Sequence, residues 1–485
     1  MTLTATLFTA KSGILAAQTA IDVVSQNIAN VSTEGYTRKI HNQSNMIVGS
    51  KTLGVRIEEV TRVVTEELLR KSQEQSAVVE RLEIIDNFLG RLEFEFGRPE
   101  DGNSIAAKMT ELKESFQALS TSPEDSSRQI SMVLAAQEMA RSFNGLTDAI
   151  QKLRAEADAR ISSQVDELNT SITGIDQLND EISANDSRGR STANLRDQRD
   201  RLVEDVNKKM SIVAFERLNG EITILGPNGQ LILDDSRFPL SCAATPNYTA
   251  ATTGQPLNIT LLGTTLNITA SVTAGEGSIA GLLSLRDTLL PTLQQSLDDL
   301  AFELATNLGT VNVNGTNENV NLFTDATGTT VPAAAAPPAL AFPAGFAGAM
   351  QVRTAISNNP ALIADPQAAA GFTPAGPADP SIALAIVGVF EAQQQLSLGP
   401  GVNNTMEGFA AQFIATVANQ KADTESQLSF QTTFRNGLRD RLNDQSAVNT
   451  DEELTELIKL EAAFAASARI LTAVQRAVDE LLDAV

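Results

Sequence analysis

One histidine, His41, and one cysteine, Cys242, bound the nucleophilic and metal chemistry open to this 485-residue sequence. No His-Glu-x-x-His pattern occurs, and one residue of each kind is too few for a Cys/His zinc cluster. A Ser-His-Asp triad would have to be built on His41, which follows a turn and stands beside Asn42 and Gln43. It reads as an exposed loop or strand histidine. The stretch RGRSTANLRDQRDR carries five arginines, at 188, 190, 196, 199 and 201, as a phosphate binder would. Asp186, Asp197, Asp200, Glu204 and Asp205 neutralise them, and Asp197 precedes Arg201 by one helical turn. The run therefore reads as a solvated, salt-bridged helix face. There is no Gly-rich phosphate loop. The Asn-rich NVNGTNENVN, which starts at Asn312, lacks the spaced carboxylates of a calcium loop. The sequence assigns no catalytic residue, no cofactor and no metal site.

Bulk properties narrow the classes further. The net charge is −23, with 36 Lys and Arg against 59 Asp and Glu, so nucleic-acid phosphates would be repelled. The lone cysteine forms no intrachain disulfide. The start, MTLTATLFTAKSGILAAQTA, has its first positive side chain at Lys11, so no secretory signal peptide is expected. No run approaches a membrane span, and no membrane insertion is expected. At this length, with 42% hydrophobic and 20% charged residues, two to four folded domains are expected.

The elements follow from periodicity. Leu7, Ile14, Ile21 and Ile28 lie seven apart, and Ala10, Ala17, Val24 and Val31 follow each by three. That is a heptad seam. The other end repeats it, with Leu457, Phe464, Leu471, Val478 and Val485. Pairing the two ends would bury both stripes; separate packing of each onto a globular core is the alternative. Long helices are predicted over 64–96, 126–184 and 404–442, and Pro291 is expected to kink or restart a helix near 290. EITILGPNGQLILDD and LNITLLGTTLNITASV read as hairpins. The expected fold class is mainly α with inserted β: terminal coiled-coil helices, an elongated helical bundle and a small β-rich tip. The expected domains are 1–35 with 450–485 as a paired coiled coil, and 36–210, 275–311 and 381–449 as the bundle. An inserted β domain would occupy 211–274, and a variable loop-rich lobe 312–380.

The segment QNIANVSTEGYTR, residues 26–38, ends the first heptad helix in a polar turn. It resembles the N-terminal signature of bacterial flagellar axial proteins, the rod, hook and hook-associated family. Asn27, Ile28, Ala29 and Asn30, followed by Gly35 and an aromatic, carry the likeness. Rod and hook members tend to read Gly-Phe-Lys, whereas Gly35-Tyr36-Thr37-Arg38 is the wording of the junction-forming, hook-associated members. SFQALSTSPEDSSRQ, NLRDQRDRLVEDVNK and VNTDEELTELIKLEAAFAASARIL resemble further segments of such members. Phe464 stands where the family would carry Tyr, keeping the ring without the hydroxyl of one inter-subunit hydrogen bond. The resemblance implies a non-enzymatic subunit of a ring between hook and filament, exported without a cleaved signal by the flagellar type III system to the extracellular flagellum. It also implies partners: copies of itself, the hook protein, the second junction protein (hook-associated protein 3) and a cytosolic chaperone on the C-terminal helix. Another axial subunit, hook or rod, is the alternative; the Asp-Gln-Arg-Asp segment and the long 126–184 helix argue against it. A secreted adhesin or enzyme on a coiled-coil stalk would need a polar cluster in 211–380, and the sequence offers none there.

Overall fold

The computed structural model describes residues 3–33, 35–48, 51–97, 102–313, 316–328, 344–363, 378–395 and 403–483. The chain is mainly α-helical with small inserted sheets. Helix α1 (Leu3–Ala29) is followed, after a turn, by a long antiparallel hairpin of β1 (Lys39–Val48) and β2 (Lys51–Arg62), with Lys39 opposite Arg62. The hairpin folds back along α1, where Ser12 Oγ accepts from Val55 N at 3.2 Å. A Cβ on the neighbouring Gly54 would fall 2.3 Å from that oxygen, so only glycine permits the crossing. Sequence reasoning gave this stretch wholly to the helical bundle. Its strand signal, Val55, Ile57 and Val60 among polar residues, was short and lay next to stronger helical periodicity.

Helices α2 (Glu66–Phe96), α3 (Ile105–Thr121), α4 (Ser126–Asp186) and α5 (Ala193–Lys209) build the body. Ser104 and Asp125 cap α3 and α4, accepting from Ala107 N at 3.2 Å and Ser127 N at 2.8 Å. α4 is the spine: 61 residues, about 90 Å at 1.5 Å per residue. It buries Met139, Phe143, Ile150, Ile161, Leu168 and Ile175 along one stripe.

Two antiparallel three-stranded sheets lie on α4. One orders β3 (Val213–Glu216), β4 (Ile222–Leu225) and β5 (Leu231–Leu233); the other orders β6 (Leu240–Ser241), β7 (Asn258–Leu261) and β8 (Thr264–Asn267). Each is fastened by one asparagine of the spine. Asn179 donates to Ile222 O at 2.9 Å and accepts from Ile222 N at 3.0 Å. Asn169 does the same with Leu240, at 2.8 and 3.0 Å. A side-chain amide carries the donor and acceptor of a peptide group, so it can stand in for a neighbouring strand.

The chain returns through α6 (Thr269–Thr273) and α7 (Ser278–Ser284) to a π-helical turn, Leu285–Leu289, and then α8 (Leu290–Asn307). Pro291 sits in the first turn of α8, where its missing N–H is tolerated, and the π turn lies just before it. Next come β9 (Thr310–Val313), β10 (Thr316–Asn319), β11 (Phe323–Thr324), α9 (Phe346–Ala349), β12 (Gln351–Val352) and α10 (Thr354–Asn358). Sequence reasoning made this region a separate surface lobe. Its described residues instead sink Phe323, Phe346, Met350, Ile356 and Ile363 into the main core. Asp298 of α8 holds it there, accepting from Gly345 N at 2.8 Å and Ala347 N at 2.9 Å. Residues 329–343 and 364–377 of that expected lobe lie outside the described residues.

After α11 (Ser381–Glu391) and the short β13 (Gln394–Gln395) and β14 (Asn403–Asn404) pair come α12 (Met406–Ser446) and α13 (Thr450–Asp483). α12 runs antiparallel to α2. Phe96 meets Phe413 with ring centroids 5.2 Å apart, Lys421 pairs with Asp86 at 2.8 Å, and Thr65 bonds Gln445 at 2.8 Å. One large core spans α2 to α12 and both sheets. A second, small one joins α1 to α13: Ala20, Val24 and Leu460, with Ile21, Ile28 and Leu457 against them.

Candidate functional site: a polar joint between three helices

The expected heptad residues divide by size. Leu7, Ile14, Ile21 and Ile28 are half-buried on α1, while the buried apolar residues are Ala10, Ala16, Ala17, Ala20, Val23 and Val24. On α13 Leu457, Phe464 and Leu471 are half-buried and Leu460 and Val474 buried. Val478 is 37% exposed, Val31 lies beyond the end of α1 and is exposed, and Val485 lies outside the described residues. Small residues let the helices approach closely: a Cβ on Gly13 would fall 3.1 Å from Ser467 Oγ.

The turn after α1 begins with Asn30, whose side chain donates to Gln26 O at 2.9 Å and accepts from Thr33 Oγ1 at 3.3 Å. Gly35 has φ +72°, and a Cβ there would fall 2.7 Å from Arg201 Cγ, so glycine serves both conformation and space. The next four residues are each gripped. Tyr36 OH donates to Asn27 Oδ1 at 3.0 Å. Thr37 Oγ1 donates to Asp197 Oδ1 at 2.6 Å. Arg38 Nε donates to Glu453 Oε1 at 2.7 Å. Lys39 Nζ reaches Asp197 Oδ2 at 2.8 Å and lies 3.4 Å from the centre of the Tyr36 ring.

Three buried side chains do the gripping, one per helix. Asn27 of α1 is 0% exposed and uses its whole amide: it donates to Lys39 O at 2.9 Å and Glu453 Oε2 at 3.0 Å, and accepts from Lys39 N at 3.0 Å and Tyr36. Glu453 of α13 is 2% exposed and Asp197 of α5 3% exposed. Arg62, opposite Lys39 at the open end of the hairpin, adds a bond to Asp197 at 3.2 Å and one to Asp200 at 2.6 Å. The backbone seals the joint, with Arg38 N donating to Ser446 O at 2.8 Å and Val63 N to Arg38 O at 2.9 Å.

The electrostatics follow from burial. Burial pushes the Tyr36 phenol up to about 12, and the Asp197 and Glu453 carboxylates push the same way. Burial lowers Lys39, with Asp197 opposing. Burial also pulls on Arg62, but Asp200 and Asp197 outweigh it and raise the guanidinium. Tyr36 thus stays the neutral hydrogen-bond donor, while Lys39 and Arg62 lie within bonding distance of Asp197, an arrangement suited to holding segments in place.

The arginine run is only in part the solvated, salt-bridged face read from the sequence: Arg188, Arg190 and Arg201 are exposed, whereas Asp197 and Arg199 are buried. Asp197 is bonded by the turn and the hairpin. Arg199 is buried, donating to Gly220 O at 2.6 Å and pairing with Glu216 at 2.9 Å. Spacing within a helix reveals its local pairs and nothing of a strand that crosses it. Lys39, Arg62, Asp197 and Glu453 were all missed as site residues; the one available signal was charge density in two segments that resemble the same family. His41 lies half-buried in β1, and Cys242 is buried, its thiol pushed up by that burial. No helix among the described residues is long and apolar enough to cross a membrane.

Three family models meet at this joint. The flagellar hook-associated protein FlgK helical domain matches residues 90–325, which include Asp197. The flagella basal body rod protein model matches 7–37, which include Asn27 and Tyr36. The flagellar basal body rod FlgEFG protein C-terminal model matches 443–484, which include Glu453. All three are models of flagellar axial proteins, and the longest match is to the hook-associated one. The flagellar hook-associated protein 1 of Escherichia coli (strain K12) is 27% identical over 64% of this chain, and the match spans 57% of that relative's length. That of Bacillus subtilis (strain 168) is 24% identical over 99% of this chain and 97% of its own. The solved flagellar hook junction protein FlgK from Burkholderia pseudomallei shares the fold, with a TM-score of 0.62 at 15% identity over 77% of this chain and 99% of that one. In this chain the two ends that match the rod models and the part that matches the hook-associated helical domain are joined by the ion pairs and hydrogen bonds just described.

Proposed function

We propose that this chain is a structural, non-catalytic subunit of the bacterial flagellum that forms the junction ring between hook and filament. Its neighbours are then copies of itself, the hook protein and the second junction protein, hook-associated protein 3. Before export through the flagellar type III apparatus, a cytosolic chaperone covers the C-terminal helix; afterwards the protein resides in the extracellular flagellum. The roles of Leu7, Ile14, Ile21 and Ile28, and of Leu457, Phe464, Leu471 and Val478, are to line the contact between paired ends and their neighbours.

The observation that carries this reading is the pairing of the two chain ends beside a hydrogen-bonded joint while apolar side chains remain outside. Phe8 and Leu15 on α1, and Ile458 and Ile470 on α13, are exposed although both helices are already paired. Apolar surface of this kind suits burial against further subunits. The joint itself supports a holding role: its buried ionisable groups are bonded to one another, and the neighbouring cleft of about 430 Å³, lined by Tyr36, Arg201 and Arg439, is open. The test is electron microscopy of a strain lacking the gene. Bare hooks, with filament protein released into the medium, are the expected result; normal filaments would refute the reading.

A further inference from the structure

The joint links its three helices through consecutive residues of one extended segment. Neighbouring side chains on an extended chain point to opposite sides. Arg38 therefore reaches Glu453 on α13, while Lys39 reaches Asp197 on α5. Asn27 holds both ends of this arrangement, bonding the Lys39 backbone on one side and Glu453 on the other. Little else ties the terminal pair to the body, since among the described residues the large core holds no side chain of α1 or α13, and the pair has its own small cluster of Ala20, Val24 and Leu460.

We propose that the joint is a latch with two states, closed only when Glu453 is seated. In the closed state the C-terminal helix fixes Asn27 and Arg38, the adjoining peptide places Lys39 on Asp197, and the α1–α13 pair is held at one orientation to the helical body. Removing the Glu453 charge leaves one neutral oxygen where two charged ones served Arg38 and an Asn27 amide proton, and Arg38 keeps only its longer pair with the exposed Glu452 at 3.6 Å. A buried charge network that loses one member becomes worse than none. The segment then swings out, Lys39 leaves Asp197, and the terminal pair and hairpin move free of the body while each stays folded. Glu453 and Asp197 are thus positioning residues that act on each other through Arg38 and Lys39. The inference stands on the geometry of one chain and does not depend on the flagellar assignment.

The test uses paired spin labels on the full chain, after replacing the one native cysteine by Cys242→Ala. Gln18, Ala465 and Glu181 are exposed on α1, α13 and α4. Gln18→Cys with Ala465→Cys reports the terminal pair; Gln18→Cys with Glu181→Cys reports the pair against the body. Each pair is measured in the parent, in Glu453→Gln and in Asp197→Asn. The latch predicts that both variants turn the narrow Gln18–Glu181 distance into a broad distribution, while the Gln18–Ala465 distance stays narrow. A Glu453→Gln protein that keeps the Gln18–Glu181 distance narrow overturns the proposal, and so does one that broadens only Gln18–Ala465. Should Glu453→Gln not fold, Arg38→Gln, on the less buried side of the same bond, carries the same prediction and the same refutation.

Discussion

Asn27 and Glu453 stand 426 positions apart in the chain, and the amide nitrogen of one lies 3.0 Å from the carboxylate of the other. That bond joins two helices whose shared apolar core is small, so the polar contacts should decide how the ends are held. Asn27→Asp replaces the donor with a second buried acid facing Glu453. The expected loss is about 3–5 kcal/mol, as for an unpaired buried charge. It should be confined to the ends: hydrogen exchange should rise in α1, α13 and the hairpin, while α4 stays protected. Uniform loss of protection would place Asn27 in the folding of the whole chain.

Gly35 and Tyr36 are adjacent but should respond differently. Gly35→Val forces a β-branched residue to positive φ and puts its Cβ on the Arg201 side chain; such strain costs about 1–3 kcal/mol. Tyr36→Phe removes one hydrogen bond, about 1 kcal/mol. Thermal denaturation of the two variants should rank them in that order, as should filament counts in a complemented deletion strain. Equal effects would mean that the Asn27–Tyr36 bond matters as much as the turn.

The phenol of Tyr36 offers an optical readout of the joint. The sequence has two tyrosines and no tryptophan, so Tyr248→Phe leaves Tyr36 as the one phenol. In the folded chain its pKa is pushed from 10.0 up to about 12. The unfolded chain gives up that proton near 10.0, while the folded chain keeps it to about 12. This contribution to stability is therefore intact below pH 10 and lost between about 10 and 12. Ultraviolet absorbance should show phenolate forming near 12 in the Tyr248→Phe protein. Formation near 10 would show Tyr36 exposed and the joint open.

Ala20 is fully buried in the small core between α1 and α13. Ala20→Leu should push the helices apart, at about 1–3 kcal/mol for overpacking. Ile21→Leu, at a half-buried neighbour, should cost less than 1.5 kcal/mol, roughly the upper limit for a volume-conserving swap. Comparing the denaturation midpoints of the ends by hydrogen exchange checks the ranking. If Ile21→Leu proves the more harmful, the large heptad residues, not the alanines, form the contact.

The mainly α fold class and the family were legible because both rest on local signals: long three-four periodicity, and the wording of residues 26–38. The partners of that segment were not legible. Asp197 was visible as an acid in a helix, and its local neighbours suggested a surface pair; the residues that bury it, Thr37 and Lys39, lie 160 and 158 positions away. Asn169 and Asn179 read as ordinary polar positions on a long helix, because nothing in α4 shows that two sheets will end against them. The heptad pattern put Ile14 and Ile21 on the seam and Gly13, Ala16 and Ala20 beside it as small residues that let another helix approach. Ala16 and Ala20 are buried while Ile14 and Ile21 are half-buried, because close helix and hairpin crossings select for smallness, which periodicity does not weigh. Each miss is of one kind: a long-range approach turning a local reading inside out.

The central claim is that this protein sits at the boundary between hook and filament, and its place in the assembled flagellum tests that most directly. Leu218, in the β3–β4 connection, is fully exposed and suits an epitope insertion. Gold labelling of that epitope on intact flagella should give a single band at each hook–filament boundary. Label distributed along the hook or the filament, or label that never associates with flagella, would contradict the account.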